Sequence, residues 1–553
     1  MSLEGRARFA GVRKYASTEV RNRALRGLAA LAIALALSAC AGAGAYPRMP
    51  APESLPANSP LLSRTLGRTD AWLRHYVMEG HADSAVLLLD PASKVRPHDE
   101  LVRHLQLGLV YHYAGKWEAS NAAFEWAETE ADQRWTKSLT QQAGQLLVND
   151  AVVDYVPAAG EMALIPYYRM LNYLALGSTD GALVEARKAS DWLARLGDRK
   201  DPCVGDGFVH YLAGLAFRGA GERNDALVSY RNAERSFSVC ADRDAARAPE
   251  WLGAELYRAA MDAGVRSVAD SAASRYRLAT FARQPDASTG ELVIFVENGW
   301  VAHRTSADVH VPIFPRDVEG VDDDDNESVL SAATRVVANV VGNLQEQAYW
   351  GEALDDRPDF QLAAAADGAY VMKLAWPESR LEASDAPQVR VVVDSQSVDA
   401  PPVVEDLSAA MFRRWQAQRP GVFTRMVARS IVKYMAAHSL ETSTTKKHGE
   451  TAGWIAGRLA NVAANALERA DTRSWSLLPD RISVARFTLP AGEHTVRLEV
   501  LDGGGGVART VDLGRITLQP RGTLVLNRRV WGEEMGDVRR LYPRAAERQA
   551  DAR

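Results

Sequence analysis

Apolar positions along this chain follow two different periods, and the change falls near Gly290. From roughly Thr65 to Ala282 the pattern is helical and self-similar. One unit reads Leu107-Gly108, Tyr111, Gly115-Lys116-Trp117, Ser120, Phe124 and Ala127. A second has Gly214, Phe217, Gly221, Ala226, Tyr230 and Ala233 at the same internal offsets, with weaker copies at Tyr173, Gly177, Ala182, Ala186 and Ala189 and at Tyr76, Gly80, Ala85 and Leu89. In such a unit small residues let two antiparallel helices approach, and aromatics fill the seam. The phase steps are about 35, 62 and 44 residues, so the array is degenerate, with its largest insertion expected between Asp132 and Pro166. Helical pattern continues over Pro249–Ala282, as a further hairpin or a cap.

Beyond Gly290 the pattern becomes strand-like. Glu291–Glu297 is a β-rich run closed by the turn pair Asn298-Gly299. Further runs lie at Ala307–Phe314, Ala369–Trp376 and Gln388–Val393. The C-terminal third adds Ile482–Leu489, a Pro490-Ala491-Gly492 turn, His494–Leu501, Val507–Leu513, Ile516–Leu518 and Thr523–Val530. Short alternating strands with Gly and Pro turns predict an antiparallel sandwich. Helices are expected to interrupt it at Val329–Trp350, Leu407–His438 and Thr451–Ala470. The repeat units look like tetratricopeptide repeats, so the expected class is α+β: an N-terminal all-α, TPR-like helical solenoid, then an antiparallel β-sandwich-like domain with helical insertions.

The first 39 residues read differently. A basic stretch (Arg6, Arg8, Arg13, Lys14, Arg21, Arg23, Arg26) precedes the small and apolar run Gly27–Leu37, which has signal-peptide length and is too short to span a bilayer. Leu37-Ser38-Ala39-Cys40 resembles a bacterial lipobox. The resemblance implies cleavage before Cys40, diacylation of its thiol and, with Ala41 rather than Asp following, delivery to the periplasmic side of the outer membrane. Residues 40–62 then form a flexible tether, 63–285 the repeat domain, 286–531 the β-rich domain and 532–553 a charged tail. The formal net charge is −5, and removing the basic signal leaves about −10. Such a chain is a poor nucleic-acid binder. Cys203 and Cys240 bracket the second clear repeat unit at the same end of its hairpin. They are a candidate disulfide in an oxidising compartment or, alternatively, two neighbouring free thiols.

Chemistry is sparse. Asp322, Asp324 and Asn326 have the first three ligand spacings of an EF-hand loop, but Glu327 replaces the turn glycine and Ala333 the bidentate glutamate. The histidines show no zinc-ligand spacing. Gly503–Gly506 lacks the Lys-Ser/Thr of a phosphate loop. Ser443-Thr444-Thr445-Lys446 matches S-x-x-K by spacing alone, in a polar segment, without companion motifs. No cofactor or metal is expected, and the chain is read as non-enzymatic. Tyr167, Tyr168, Tyr173, Trp192 and Tyr211 are candidates either for a partner groove on the array or for plain repeat core. Arg425, Arg429 and Lys433 form a cationic row at i, i+4, i+8, either a contact for an anionic surface or a solvated helix face. Glu468, Arg469, Asp471 and Arg473 serve a salt-bridged helix exit or a binding rim.

Glu291–Gly299, Pro420–Ala436, Leu489-Pro490-Ala491-Gly492 and above all Ala460-Asn461…Ala470-Asp471-Thr472-Arg473-Ser474-Trp475…Leu478-Pro479 resemble a family of TPR-containing proteobacterial outer-membrane lipoproteins. That family has no established activity, so the resemblance carries no functional residues. Its members tend to be encoded beside small lipoproteins, some similar to activators of penicillin-binding proteins, which implies an envelope role. The expected function is a scaffold or adaptor that takes an envelope protein or peptide in the repeat groove and touches the membrane through its lipid. The alternatives are a subunit of a larger envelope machine, or a periplasmic hydrolase.

Overall fold

Five glycines articulate the helical part. Gly80, Gly115, Gly177, Gly221 and Gly264 all have φ between 70 and 80°, a conformation that only glycine adopts cheaply. Each ends a helix in the same way. The glycine amide returns to the carbonyl three residues back and the next amide to the carbonyl five back, as in Gly115→His112 (3.0 Å) and Lys116→Tyr111 (2.9 Å), or Gly221→Arg218 (3.0 Å) and Glu222→Phe217 (2.9 Å). This closure satisfies the orphan carbonyls of the helix end and reverses the chain. It produces five pairs: α1 and α2 (Arg68–Met78, Ala82–Leu89), α3 and α4 (Glu100–Tyr113, Trp117–Gln141), α5 and α6 (Ala159–Ala175, Thr179–Gly197), α7 and α8 (Asp206–Gly219, Arg223–Cys240), and α9 and α10 (Leu252–Asp262, Arg266–Arg275). The last is the further hairpin expected over Pro249–Ala282.

This computed structural model describes residues 47, 49–51, 54–55, 59–89, 97–141, 154–157, 159–197, 206–240, 246–278, 287–313, 331–332, 334, 370–380, 388–502 and 504–531. Cys40, Cys203, the acidic run 322–327, most of the helix expected at 329–350 and the tail 532–553 lie outside them. Cys240 is disulfide-bonded. The insertion expected from Asp132 to Pro166 is shorter than the sequence pattern implied, because α4 runs on to Gln141 and α5 already starts at Ala159. Pro166 sits inside α5. The cost of a proline there is offset by its buried neighbours Met162, Ala163, Leu164, Ile165, Tyr167 and Tyr168.

Among the described residues the C-terminal half has ten strands in three sheets. Strands β1 (Thr289–Asn298), β6 (Val403–Asp406), β7 (Arg481–Pro490) and β10 (Thr523–Val530) form one sheet in the order β10-β1-β7-β6. Strands β4 (Gln388–Val393), β5 (Gln396–Asp399), β8 (Gly492–Leu501) and β9 (Val507–Leu518) form a second, ordered β5-β4-β8-β9. Strands β2 (His303–Ile313) and β3 (Tyr370–Arg380) pair with each other alone. The first sheet is mixed, which corrects the purely antiparallel expectation: β1 runs parallel to β10, Glu291 opposite Thr523 and Asn298 opposite Val530. Parallel pairing needs a long connection, and here more than two hundred residues supply it. Chain direction leaves no mark in the alternation of side chains, so periodicity could not forecast it.

Helix α11 (Leu407–His448) begins where the Asp406 carboxylate accepts the amide of Ala409 at 2.9 Å. It continues through the polar segment around Ser443–Lys446 that had no helical signature. At 42 residues it is roughly 63 Å long. Helix α12 (Glu450–Leu467) folds back on it, and the two pack on β2–β3 around a core of their own: Ile313, Tyr370, Met372, Leu374, Met426, Ile431 and Tyr434. We call these four elements the arm. Apart from a small cluster of Leu61, Leu66, Ala71 and Trp72, the rest shares one larger core, in which Phe124, Tyr168 and Tyr211 of the helix pairs meet Val293, Phe295, Val391, Trp475 and Leu498 of the β region.

One close helix contact is made at Gly108, where an added Cβ would lie 2.4 Å from the Phe124 ring. Gly108→Ala is therefore expected to destabilise the chain by about 1–3 kcal/mol through overpacking. Gly421→Ala, on the exposed face of α11 with only the Arg425 side chain near, should be neutral or slightly stabilising. Equilibrium urea unfolding of the two variants beside the parent checks both.

Candidate functional site

The inner face of the repeat array is not an open groove. It holds the chain's own β region. Tyr167, Tyr168 and Tyr211 are fully buried. The Tyr167 ring lies 6.2 Å from Phe295 of β1, Tyr211 lies 6.3 Å from the same ring, and Tyr168 lies 6.1 Å from Trp475. Tyr173 and Trp192 do not face that surface. Tyr173 is half-buried over Gly181 of its own hairpin. Trp192 is buried 6.4 Å from Trp135, with the Arg195 guanidinium 3.9 Å above its ring. Of the two readings of these aromatics, groove or core, the burial of Tyr167, Tyr168, Tyr211 and Trp192 fits core, and Tyr173 is half-buried. An amphipathic array leaves one face apolar, and the face of β1 that carries Val293 and Phe295 covers it.

Two charge networks fix that contact, one at each end of β1. At its C-terminal end Glu297 has no solvent exposure. It accepts from the Tyr113 hydroxyl (2.8 Å), the Tyr167 hydroxyl (3.4 Å) and the Asn527 amide (2.8 Å), and Arg529 lies 3.7 Å away. The Arg529 guanidinium, equally buried, donates to the carbonyls of Gly299 and Leu478 and faces the rings of Trp300 (4.8 Å) and Tyr113 (5.5 Å). Asn527 leads on to His112 (3.1 Å), and His112 to Asn172 (2.6 Å). Burial pulls the His112 pKa down, against the pull of Glu297.

At the N-terminal end of β1, Glu291 pairs with Arg218 and Arg486 and lies 3.5 Å from Arg258. Glu255 pairs with the same three arginines, at 3.1 Å to Arg486 and 3.0 Å to Arg258. Burial raises the Glu255 carboxyl, but Arg218, Arg486 and Arg258 outweigh it and hold its pKa at about 2. No local pattern in the sequence marks Arg218, Glu255, Arg258, Arg486 or Arg529. The one visible signal of the two networks was a glutamate near each end of an otherwise apolar strand, which a buried strand tolerates only if partners await it.

The Asp471–Trp475 run, the most specific part of the family resemblance, is structural. Arg473 is clamped by Asp471 (2.8 Å), Asp99 (3.2 Å) and the His98 carbonyl (2.8 Å). Trp475 is buried 5.8 Å from Phe124. Glu468 takes Arg429 (3.3 Å) and Lys433. Of the cationic row, therefore, only Arg425 is exposed. Arg429 is buried, and Lys433 is turned to the same glutamate, because the chain leaving α12 crosses α11 at this point.

At the root of the arm lies a cleft lined by Glu161 of α5, Arg304 of β2, Ser379 of β3, Met411, Arg414 and Trp415 of α11, and Ser474. It joins arm, array and β region. Two guanidinium groups, hydroxyls and an indole suit it to holding an anion rather than to activating a nucleophile. Among the described residues no group of three or more His, Cys, Asp or Glu is placed to hold a metal ion, and no helix is long and apolar enough to cross a membrane. No family model, curated protein or solved structure matches this chain.

Removing one charge of the Glu297–Arg529 pair leaves the other buried alone. Arg529→Met is expected to cost about 3–5 kcal/mol, and Glu297→Leu combined with it should recover a large part. A double-mutant cycle by equilibrium denaturation measures this. The array also carries an acid-sensitive group. His210 of α7 is buried, and burial holds its pKa down at about 4 against an ordinary 6.5. Between those values the unfolded chain takes up a proton that the folded chain refuses, so stability present above pH 6.5 is lost as pH falls towards 4, by on the order of 3 kcal/mol. His210→Leu should flatten the stability curve in that window, as read from denaturation midpoints at stepped pH.

Proposed function

We propose that this chain is a lipid-anchored scaffold of the cell envelope, tethered through Cys40 at the periplasmic face of the outer membrane. In this reading the five helix pairs are a tetratricopeptide-type solenoid that carries a largely antiparallel, sandwich-like β domain in place of a foreign peptide. The arm then receives an envelope protein.

The outward face of α12 supports the reading. Between Glu450 and Leu467 the one charged residue is Arg458, and it is turned inward, buried 4.4 Å over the Tyr370 ring. Ala452, Ile455, Ala456, Leu459 and Ala463 recur at helical spacing on an uncharged face, half-buried or exposed, with Leu459 at 37%. A helix face meant only for water carries charges; small and apolar residues in its place suit docking. The same face serves the second reading, a subunit of a larger envelope assembly, in which another copy of the chain covers it.

A photocrosslinking amino acid at position 455 or 459 in the anchored protein tests the site, with position 184 on α6 as an exposed control. Discrete adducts with an envelope protein from both arm positions and none from 184 are the expected result. Adducts at twice the chain's own mass would transfer the face to self-assembly. No adduct at either arm position would overturn the arm as the docking surface.

A further inference from the structure

The cleft at the root of the arm contains a polar atom that the fold itself does not use. Ser474 is 8% exposed, and its buried hydroxyl has no hydrogen-bond partner. A hydroxyl in that position costs free energy unless something completes it. The rest of the residue is firmly held. Its carbonyl accepts from the Gln106 side chain (3.3 Å) and from the Ser476 amide (2.9 Å), and Trp475 beside it is locked in the core.

Two guanidinium groups line the same cleft. Arg304 is steadied by the carbonyl of Arg473 at 3.3 Å, one residue before Ser474. Arg414 reaches across to α5, where Gly160 makes room for it: a Cβ there would lie 2.4 Å from the Arg414 Nη1. One carboxylate, Glu161, is also present, buried and bonded by the Tyr155 hydroxyl at 3.0 Å. The lining charge is thus one positive in excess. Met411, Pro377, Ala302 and the Trp415 indole supply apolar wall, and Ser379 a second hydroxyl. The enclosed space is about 50 Å³, room for the oxyanion head with its tail at the open mouth.

We infer that this cleft binds a small organic oxyanion, a carboxylate or phosphate monoester whose apolar or planar tail rests on Trp415. Arg304 and Arg414 supply the fork geometry that such oxygens match, and Ser474 donates its free hydroxyl. The site spans array, β2–β3 and α11, so an occupant touches all the parts that hold the arm to the body. None of this depends on what docks on α12.

Titration calorimetry on the intact mature chain tests it with two probes, N-acetylphenylalaninate and phenyl phosphate, each beside its uncharged counterpart, the carboxamide or phenol. One or both anions should bind saturably below about 10 mM, and the neutral counterparts should not. Which anion binds tighter separates a carboxylate ligand from a phosphate one. Ser474→Ala should weaken binding about tenfold or more, as for a lost hydrogen bond to a charged group, and Arg414→Gln should weaken it further. If Arg414→Gln disturbs folding, Ser474→Ala, which removes a single oxygen, still decides the matter. Equal binding of acid and neutral probe, unchanged affinity in Ser474→Ala, or no saturable binding of either anion would each overturn the assignment.

Discussion

A strand that carries a glutamate near each end, and is buried from one to the other, cannot exist alone. Strand β1 is such a strand, and the structure is organised around meeting its needs. Its middle, Leu292 to Val296, is fully buried. Glu291 and Glu297 go into the interior with it, where an unpaired carboxylate would cost several kcal/mol. The countercharges come from both halves of the chain. Arg218 and Arg258 belong to the helix pairs, whereas Arg486 and Arg529 belong to the neighbouring strands. Neither half can satisfy its polar groups without the other, so array and β region form one core.

That dependence explains why the repeats have no open groove. A stack of helix pairs buries its own seams but leaves an inner apolar surface uncovered. Here Trp475, Phe295 and the hydroxyl-to-carboxylate contacts of Tyr113 and Tyr167 occupy it. Apolar packing supplies the bulk of such a contact, but it is tolerant of sliding. The two charge networks, about a strand length apart, are not tolerant: a one-residue shift of β1 would carry each glutamate to the opposite face of the sheet. The registry of the array on the sheet therefore rests on ionic groups, and its adhesion on the aromatic ones.

How much of this the sequence shows depends on the range of the interaction. The hairpin turns were legible at four of their five glycines, because Gly at the turn and small or aromatic residues at fixed offsets are local requirements. The run Thr523–Val530 was legible to the residue, since alternation is also local. What could not be read joins distant residues. The parallel pairing of Glu291 with Thr523, the use of Glu468 to neutralise Arg429 and Lys433, and the burial of Tyr167 and Tyr211 under Phe295 all depend on which surface meets which. A row of cations at helical spacing looks the same whether it faces water, a membrane or a glutamate thirty-five residues downstream. The Asp471–Trp475 run shows the converse: its alternating charges suit a salt-bridged helix exit as well as a rim, and only the distant contacts of Arg473 and Trp475 mark them as fastening points for the array.

The arm is built on the opposite principle. Its core of Ile313, Tyr370, Met426, Ile431 and Tyr434 is separate from the large one, and it joins the body through the stretch from β6 into α11, through β2 and β3, and through the chain that leaves α12. A unit with its own small core opens at lower free energy than the body it is attached to. Ionic groups concentrate at that junction: Glu468 with Arg429 and Lys433, Arg304 against the Arg473 carbonyl, and Arg414 over Gly160. Charged contacts of this kind hold direction more firmly than they hold two surfaces together. The body is thus closed by mutual need of its two halves, while the arm keeps a defined orientation on it and leaves one uncharged helix face outward. A rigid base with an oriented, separately cored projection is the arrangement expected of a part that presents a surface to something else.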